Sequence, residues 1–111
     1  MKGNDRYRVD NVSCRLGDRR YEIVNLSVGG LFVACEEPPP AGQSVSLEVR
    51  LPRHEDLTIV GLVSWVNERE KPRVEALPPG FGIKIVRIAF ADKMALLAFL
   101  READPSALRK G

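Results

Sequence analysis

Between residues 9 and 88 the apolar side chains of this chain fall at every second position in one stretch after another, the period of strands with one face buried. Val12, Cys14 and Leu16 alternate over residues 9–16, and Gly17-Asp18 supplies a turn into residues 19–26. There Tyr21, Ile23 and Asn25 share one face and Val24 and Leu26 the other, which predicts a hairpin with the preceding strand. A second turn falls at Ser27-Val28-Gly29-Gly30, and Leu31 to Cys35 is apolar almost throughout, as a central strand covered on both faces would be. Pro38, Pro39 and Pro40 cannot donate to a ladder, so the chain leaves the sheet there. Over residues 44–51, Val45, Leu47, Val49 and Leu51 face one way and Ser46, Glu48 and Arg50 the other. Residues 57–66 set Ile59, Gly61, Val63 and Trp65 at alternate positions. Gly61 then marks a bend, a bulge or a close backbone approach, and Trp65 is expected in the core. Residues 67–80 are charged and proline-bearing and read as a mobile loop, after which Phe81, Ile83 and Ile85 begin a sixth strand.

The period then changes. Phe90, Met94, Leu97 and Leu100, with Leu96 and Phe99 alongside, recur every three to four residues, as the apolar stripe of a helix does. Asp92 suits its N-cap and Asp104-Pro105 its end. Six strands and one amphipathic helix predict a mainly β protein, an antiparallel barrel covered by that helix. The expected organisation is an N-terminal flexible arm over residues 1–8, the barrel and helix over 9–103, and a tail over 104–111.

With 111 residues, 44% of them hydrophobic and 29% charged, the chain is sized for one folded domain without metal or disulfide support. No run approaches the ~20 apolar residues that cross a bilayer, and the polar start at Met1 to Arg8 lacks a signal-peptide centre. A cytoplasmic setting without membrane insertion is therefore expected, with Cys14 and Cys35 reduced and packed as small hydrophobes. His54, the single histidine, sits in the polar turn of Pro52, Arg53, Glu55 and Asp56, and both cysteines lie in strands. These are poor materials for a general base, a nucleophile or a metal site, so no enzyme is expected. The net charge of +2 does not suggest a coat for a nucleic-acid polymer. Its distribution is uneven, however: Lys2, Arg6, Arg8, Arg15, Arg19 and Arg20 outnumber Asp5, Asp10 and Asp18 near the N-terminus, which suits a small anion.

Asn25-Leu26-Ser27-Val28-Gly29-Gly30 has the form [D/N]xSxxG between the second and third predicted strands. Together with the Gly61, Val63, Trp65 strand and the Gly80, Gly82, Ile83 strand, it makes the chain resemble the PilZ domain family from about Arg6 to Ala103. The resemblance implies a six-stranded antiparallel PilZ-like β-barrel with a C-terminal α-helix, and cyclic di-GMP as ligand with no other cofactor. It places ligand contacts at Asn25, Ser27, Gly29 and Gly30, where short polar groups and glycines with access to positive φ let a planar ligand approach. The family's second element, RxxxR, is altered here. Arg15 and Arg19 have the spacing but lie beyond the first strand, whereas Lys2, Arg6 and Arg8 lie on the correct side, with Arg6 and Arg8 as the expected contacts. Lysine at position 2 offers a point charge without arginine's planar fork. The implied protein is a receptor or adaptor, monomeric or weakly dimeric, whose N-terminal arm closes over the nucleotide and changes the surface shown to a protein partner. The altered motif leaves open an adaptor that acts in pilus, motility or signalling assemblies by protein contact alone.

Overall fold

The computed structural model describes residues 6–102 and 109–110. In chain order the elements are β1 (Tyr7–Arg8), β2 (Ser13–Leu16), β3 (Arg19–Leu26), β4 (Gly30–Ala34), β5 (Ser44–Arg50), β6 (Leu57–Asn67), β7 (Gly80–Ile88), α1 (Phe90–Glu102) and β8 (Arg109–Lys110). Strands β2-β5-β6-β7-β4-β3 are antiparallel neighbours in that order, and β3 pairs back onto β2. The sheet thus closes on itself as the expected six-stranded barrel, which leaves its ring without a free edge. Tyr7 and Arg8, expected within a flexible arm, pair with Leu26 and Asn25 at the far end of β3, and the backbone of β8 pairs in turn with β1. Lys2 and the expected helix stop at Asp104-Pro105 lie outside the described residues.

Strand β5 shows how firmly burial sets register. Val45, Leu47 and Val49 point into the core together with Leu51, and Ser44, Ser46 and Arg50 point out. Burying four such side chains is worth roughly 6–12 kcal/mol, comparable to the whole stability of a small domain. A slip of one residue would exchange them for serines, Glu48 and Arg50.

Three strands break the alternation. In β3, Ile23 pairs with Val33 and Asn25 with Phe32, so Val24 is an extra residue opposite no partner in β4. Ile23 and Leu26 consequently both enter the core, and Asn25 is turned to the outside of the barrel. In β6, Val63 pairs with Ile83 and Trp65 with Gly82, which makes Ser64 extra; its Oγ donates to the Gly82 carbonyl at 3.2 Å. The expectation that Trp65 belongs to the core is therefore corrected: the bulge turns its indole out, where it is half-buried over Phe32. Gly61 adjoins a third irregularity, opposite the extra residue Val86 of β7, as its position in the pattern predicted.

The phase of α1 also differs from expectation. Asp92 is not its cap but lies in its first turn, and one carboxylate oxygen accepts from the Thr58 N–H at the start of β6, 3.2 Å away. Residues four apart share a helix face, so this bond aims Leu96 and Leu100 at the barrel, where they join the core. Phe90 and Met94 are left 77% and 41% exposed. His54 packs edge-on to Phe99 with ring centres 6.3 Å apart, and its Nε2 lies 3.5 Å from Glu102, an anchor for the last turn.

Residues 67–80 are organised around one buried side chain. Asn67 is fully buried; its Nδ2 donates to the carbonyls of Val74, Leu77 and Pro78 at 3.0–3.2 Å, and its Oδ1 accepts from the Val74 N–H at 3.0 Å. Replacing Asn67→Ala is expected to lower stability by about 2–4 kcal/mol in urea unfolding, since several backbone groups lose their partner at once. Burial pushes the Cys14 thiol from 9.0 up to about 12, with Arg20 opposing the shift and Cys35 adding to it. The neutral thiol is thus favoured by the fold, and its stabilisation is present below pH 9 and lost as the pH rises toward 12. Thiol-specific labelling at pH 8 is expected to modify half-buried Cys35 before Cys14, and Cys14→Ala to flatten the fall in stability above pH 9.

Candidate functional site

The outward turn of Asn25 begins with the bulge: the carbonyl of the extra residue Val24 accepts from the Val9 N–H at 3.2 Å, which brings the segment before β2 alongside β3. Arg8 then stands opposite Asn25 in β1, and Arg6 Nη1 donates to Asn25 Oδ1 at 3.2 Å. The Arg6 guanidinium is half-buried, and loss of hydration lowers its pKa from the ordinary value. Arg8 is exposed beside it.

The turn between β3 and β4 closes on a single hydroxyl. Ser27 Oγ accepts from the N–H groups of Gly29 and Gly30 at 3.2 and 3.0 Å and donates to the Gly30 carbonyl at 3.1 Å, while the Ser27 N–H donates to that same carbonyl at 2.8 Å. The Gly29 carbonyl accepts from the Ile85 N–H at 2.9 Å, tying the turn to β7. The sequence pattern suggested left-handed backbone at the paired glycines; positive φ occurs instead at Asn11, Gly17, Gly42 and Arg53. Gly30 is required for closeness. A Cβ there would overlap the Ile83 carbonyl oxygen and stand 3.0 Å from Arg6 Nη2. Lacking one, the turn lets the guanidinium lie against it.

The fold thus gathers Arg6, Arg8, Asn25, Ser27, Gly29 and Gly30 at one end of β3, with different tasks. Ser27 is 2% exposed and its hydroxyl is spent on the turn; Asn25 is 5% exposed and orients Arg6. Arg15 is paired with Glu48 across β2 and β5, and Arg19 sits at the hairpin end, so the alternative arginine pair does not join the site. Arg50 and Arg69 likewise face Asp56 and Glu36. Among the described residues, Arg6 and Arg8 have no carboxylate partner. Guanidinium groups are permanent cations with donors only, so the arrangement is suited to a phosphate or to the acceptor edge of a base. No cluster of three metal-ligating side chains occurs among the described residues.

The same outer face extends beyond the motif. Asn25 pairs with Phe32, Phe32 with Gly82, and Gly82 with Trp65, so these residues form one row across four strands. Phe32 is fully buried although it lies outside the barrel core, because Trp65 covers it at a ring-centre distance of 5.3 Å. A Cβ on Gly82 would overlap the indole. Arg73 lies over that indole, 5.4 Å from its centre. Sequence reasoning missed Phe32 and Arg73 as neighbours of this face; Gly82 directly before Ile83 was the available signal, since a glycine inside a strand makes room for something close.

Fold and site together define a small antiparallel barrel with an arginine-and-turn site on its outer wall. The chain belongs to the PilZ domain family, whose model matches residues 6–102. The structure is similar to that of the Bacillus subtilis inhibitor of motility (MotI/DgrA), with a TM-score of 0.64 and 22% sequence identity, over 94% of this chain and 55% of that one. The chain therefore spans about half the length of that protein. Among curated proteins, none matches the sequence.

Because Ser27 and Gly30 build the turn, their replacement is expected to act on stability. Ser27→Ala should cost about 1–3 kcal/mol and Gly30→Ala a similar amount through overlap with Ile83, both measured by denaturant unfolding. Gly29→Ala, at an exposed position, should be nearly silent in the same measurement.

Proposed function

We propose that this chain is a cytoplasmic receptor domain that binds cyclic di-GMP against the turn at Asn25 to Gly30 and converts binding into altered protein contacts. The observation that carries the reading is the cation pair at Arg6 and Arg8, set beside the motif by β1 and without a carboxylate partner among the described residues. Cyclic di-GMP carries two phosphates and two guanines. One guanidinium can pair with a phosphate while its neighbour forks onto guanine O6 and N7. Membership of the PilZ family supports the ligand, and the likeness to an inhibitor of motility supports a place in motility control. Asn25 acts by orientation, because its carboxamide holds Arg6 above the side-chain-free surface of Gly30.

A protein-contact adaptor that needs no nucleotide is the second reading, favoured by the exposure of Phe90 and Met94 on α1. Calorimetric titration with cyclic di-GMP separates the two. Saturable heat is expected, with Arg6→Ala and Arg8→Ala each weakening binding about ten- to a hundredfold, the loss of a bidentate contact. No heat at high micromolar nucleotide leaves the adaptor reading in possession.

A further inference from the structure

Three of the four residues expected to seat α1 on the barrel lie outside its core. Leu100 enters the core with Leu96, whereas Phe90 is 77% exposed, Met94 is 41% exposed and Leu97 is half-buried. Phe90, Met94 and Leu97 stand at i, i+4 and i+7, so they fall in line along one side of the helix over about 10 Å. Val86, the extra residue of β7, adds a 54% exposed apolar side chain four residues before Phe90. Apolar residues aligned in this way differ from the single ones that any surface carries.

The surroundings carry one sign of charge. Neither β6 nor β7 contains an aspartate or glutamate, and Lys84 and Arg87 of β7 are exposed. On α1, Lys93 and Arg101 are exposed, while Asp92 accepts from the Thr58 N–H and Glu102 lies beside His54. Lys84, Arg87, Lys93 and Arg101 have no carboxylate partner among the described residues.

Deepening the protein contact that both readings above invoke, we infer that the outer stripe of α1 is a docking seam for an acidic amphipathic helix of a partner protein. Phe90, Met94 and Leu97 have the spacing of a coiled-coil seam, and Lys93 stands one residue before a seam position, where such helices pair opposite charges. Glutamates at the partner's flanks meet Lys93 and Arg101. A bilayer surface fits less well, because a helix lying in it presents a broad apolar face, and the opposite side of α1 is committed to the barrel through Leu96 and Leu100. A second copy of this chain would set the same cations against each other.

The probe is a synthetic helix of three heptads with leucine at the seam positions and glutamate at the flanks, titrated into the isotope-labelled chain and followed by NMR. Saturable shifts are expected along Phe90 to Arg101. Phe90→Ser, at an exposed position, should weaken binding about five- to thirtyfold with an unchanged melting temperature. Replacing Lys93→Glu together with Arg101→Glu should abolish binding and admit the same peptide with lysine at its flanks, an exchange that adhesion to an apolar patch does not produce. Equal binding of the glutamate and lysine peptides by the unaltered chain, or no shifts on α1 at millimolar peptide, would overturn the seam. So would binding to phosphatidylglycerol vesicles without binding to the peptide, or self-association that Phe90→Ser abolishes. Calorimetry with cyclic di-GMP reads the motif alone, so the seam can fail while the nucleotide reading stands, and the reverse.

Discussion

A strand has a side-chain period of two, so one residue inserted between paired positions turns everything beyond it to the opposite face. The outer wall of this barrel depends on that constraint. With Val24 unopposed in β3, Ile23 and Leu26 both reach the interior although three positions separate them, and Asn25 between them faces out. A regular β3 would place Asn25 beside Ile23 in the core, where an amide without partners is penalised by roughly 1–3 kcal/mol, and would push Leu26 toward water. The bulge forfeits local ladder regularity and keeps both the apolar interior and an outward amide.

From that amide the rest of the site follows by contact. Asn25 holds Arg6, the unopposed Val24 carbonyl receives Val9, and β1 is thereby aligned so that Arg8 stands opposite Asn25. The turn beyond β3 must then be compact enough not to collide with the guanidinium, which the three bonds of Ser27 Oγ and the missing Cβ of Gly30 achieve. Arginine position, turn closure and strand irregularity form one construction, and this explains why a motif of short polar residues and glycines lies next to a bulge.

The sequence made the regular parts legible and hid the irregular ones. Strand β5 could be read residue by residue, because four apolar side chains in strict alternation leave one register. The [D/N]xSxxG turn and the helix were also visible, yet the helix face was misjudged. Its phase is set by Asp92 bonding to the backbone of Thr58, a long-range contact with no local signature. Trp65 was assigned inward because the alternation of Ile59, Gly61 and Val63 continues through it, and nothing about Ser64 alone announces an extra residue. Asn67 stood at the head of a charged stretch and looked like any loop asparagine. Its burial and four hydrogen bonds depend on the chain returning from Val74 to Pro78.

The distribution of irregularity separates two demands on one barrel. The ladders that β2 forms with β3 and β5, and β5 with β6, run without a register shift. The shifts fall between β3 and β4 and between β6 and β7, on either side of the uninterrupted β4–β7 ladder. That ladder contributes Phe32 and Gly82 to the middle of the outer row, while the shifted strands contribute Asn25 and Trp65 to its ends. Core packing alone requires no such placement, because regular strands bury apolar residues equally well on the β5 side. An outward amide and an outward indole at the two ends of one row are features of the exterior, and the deviations in pairing that produce them belong to what the wall presents.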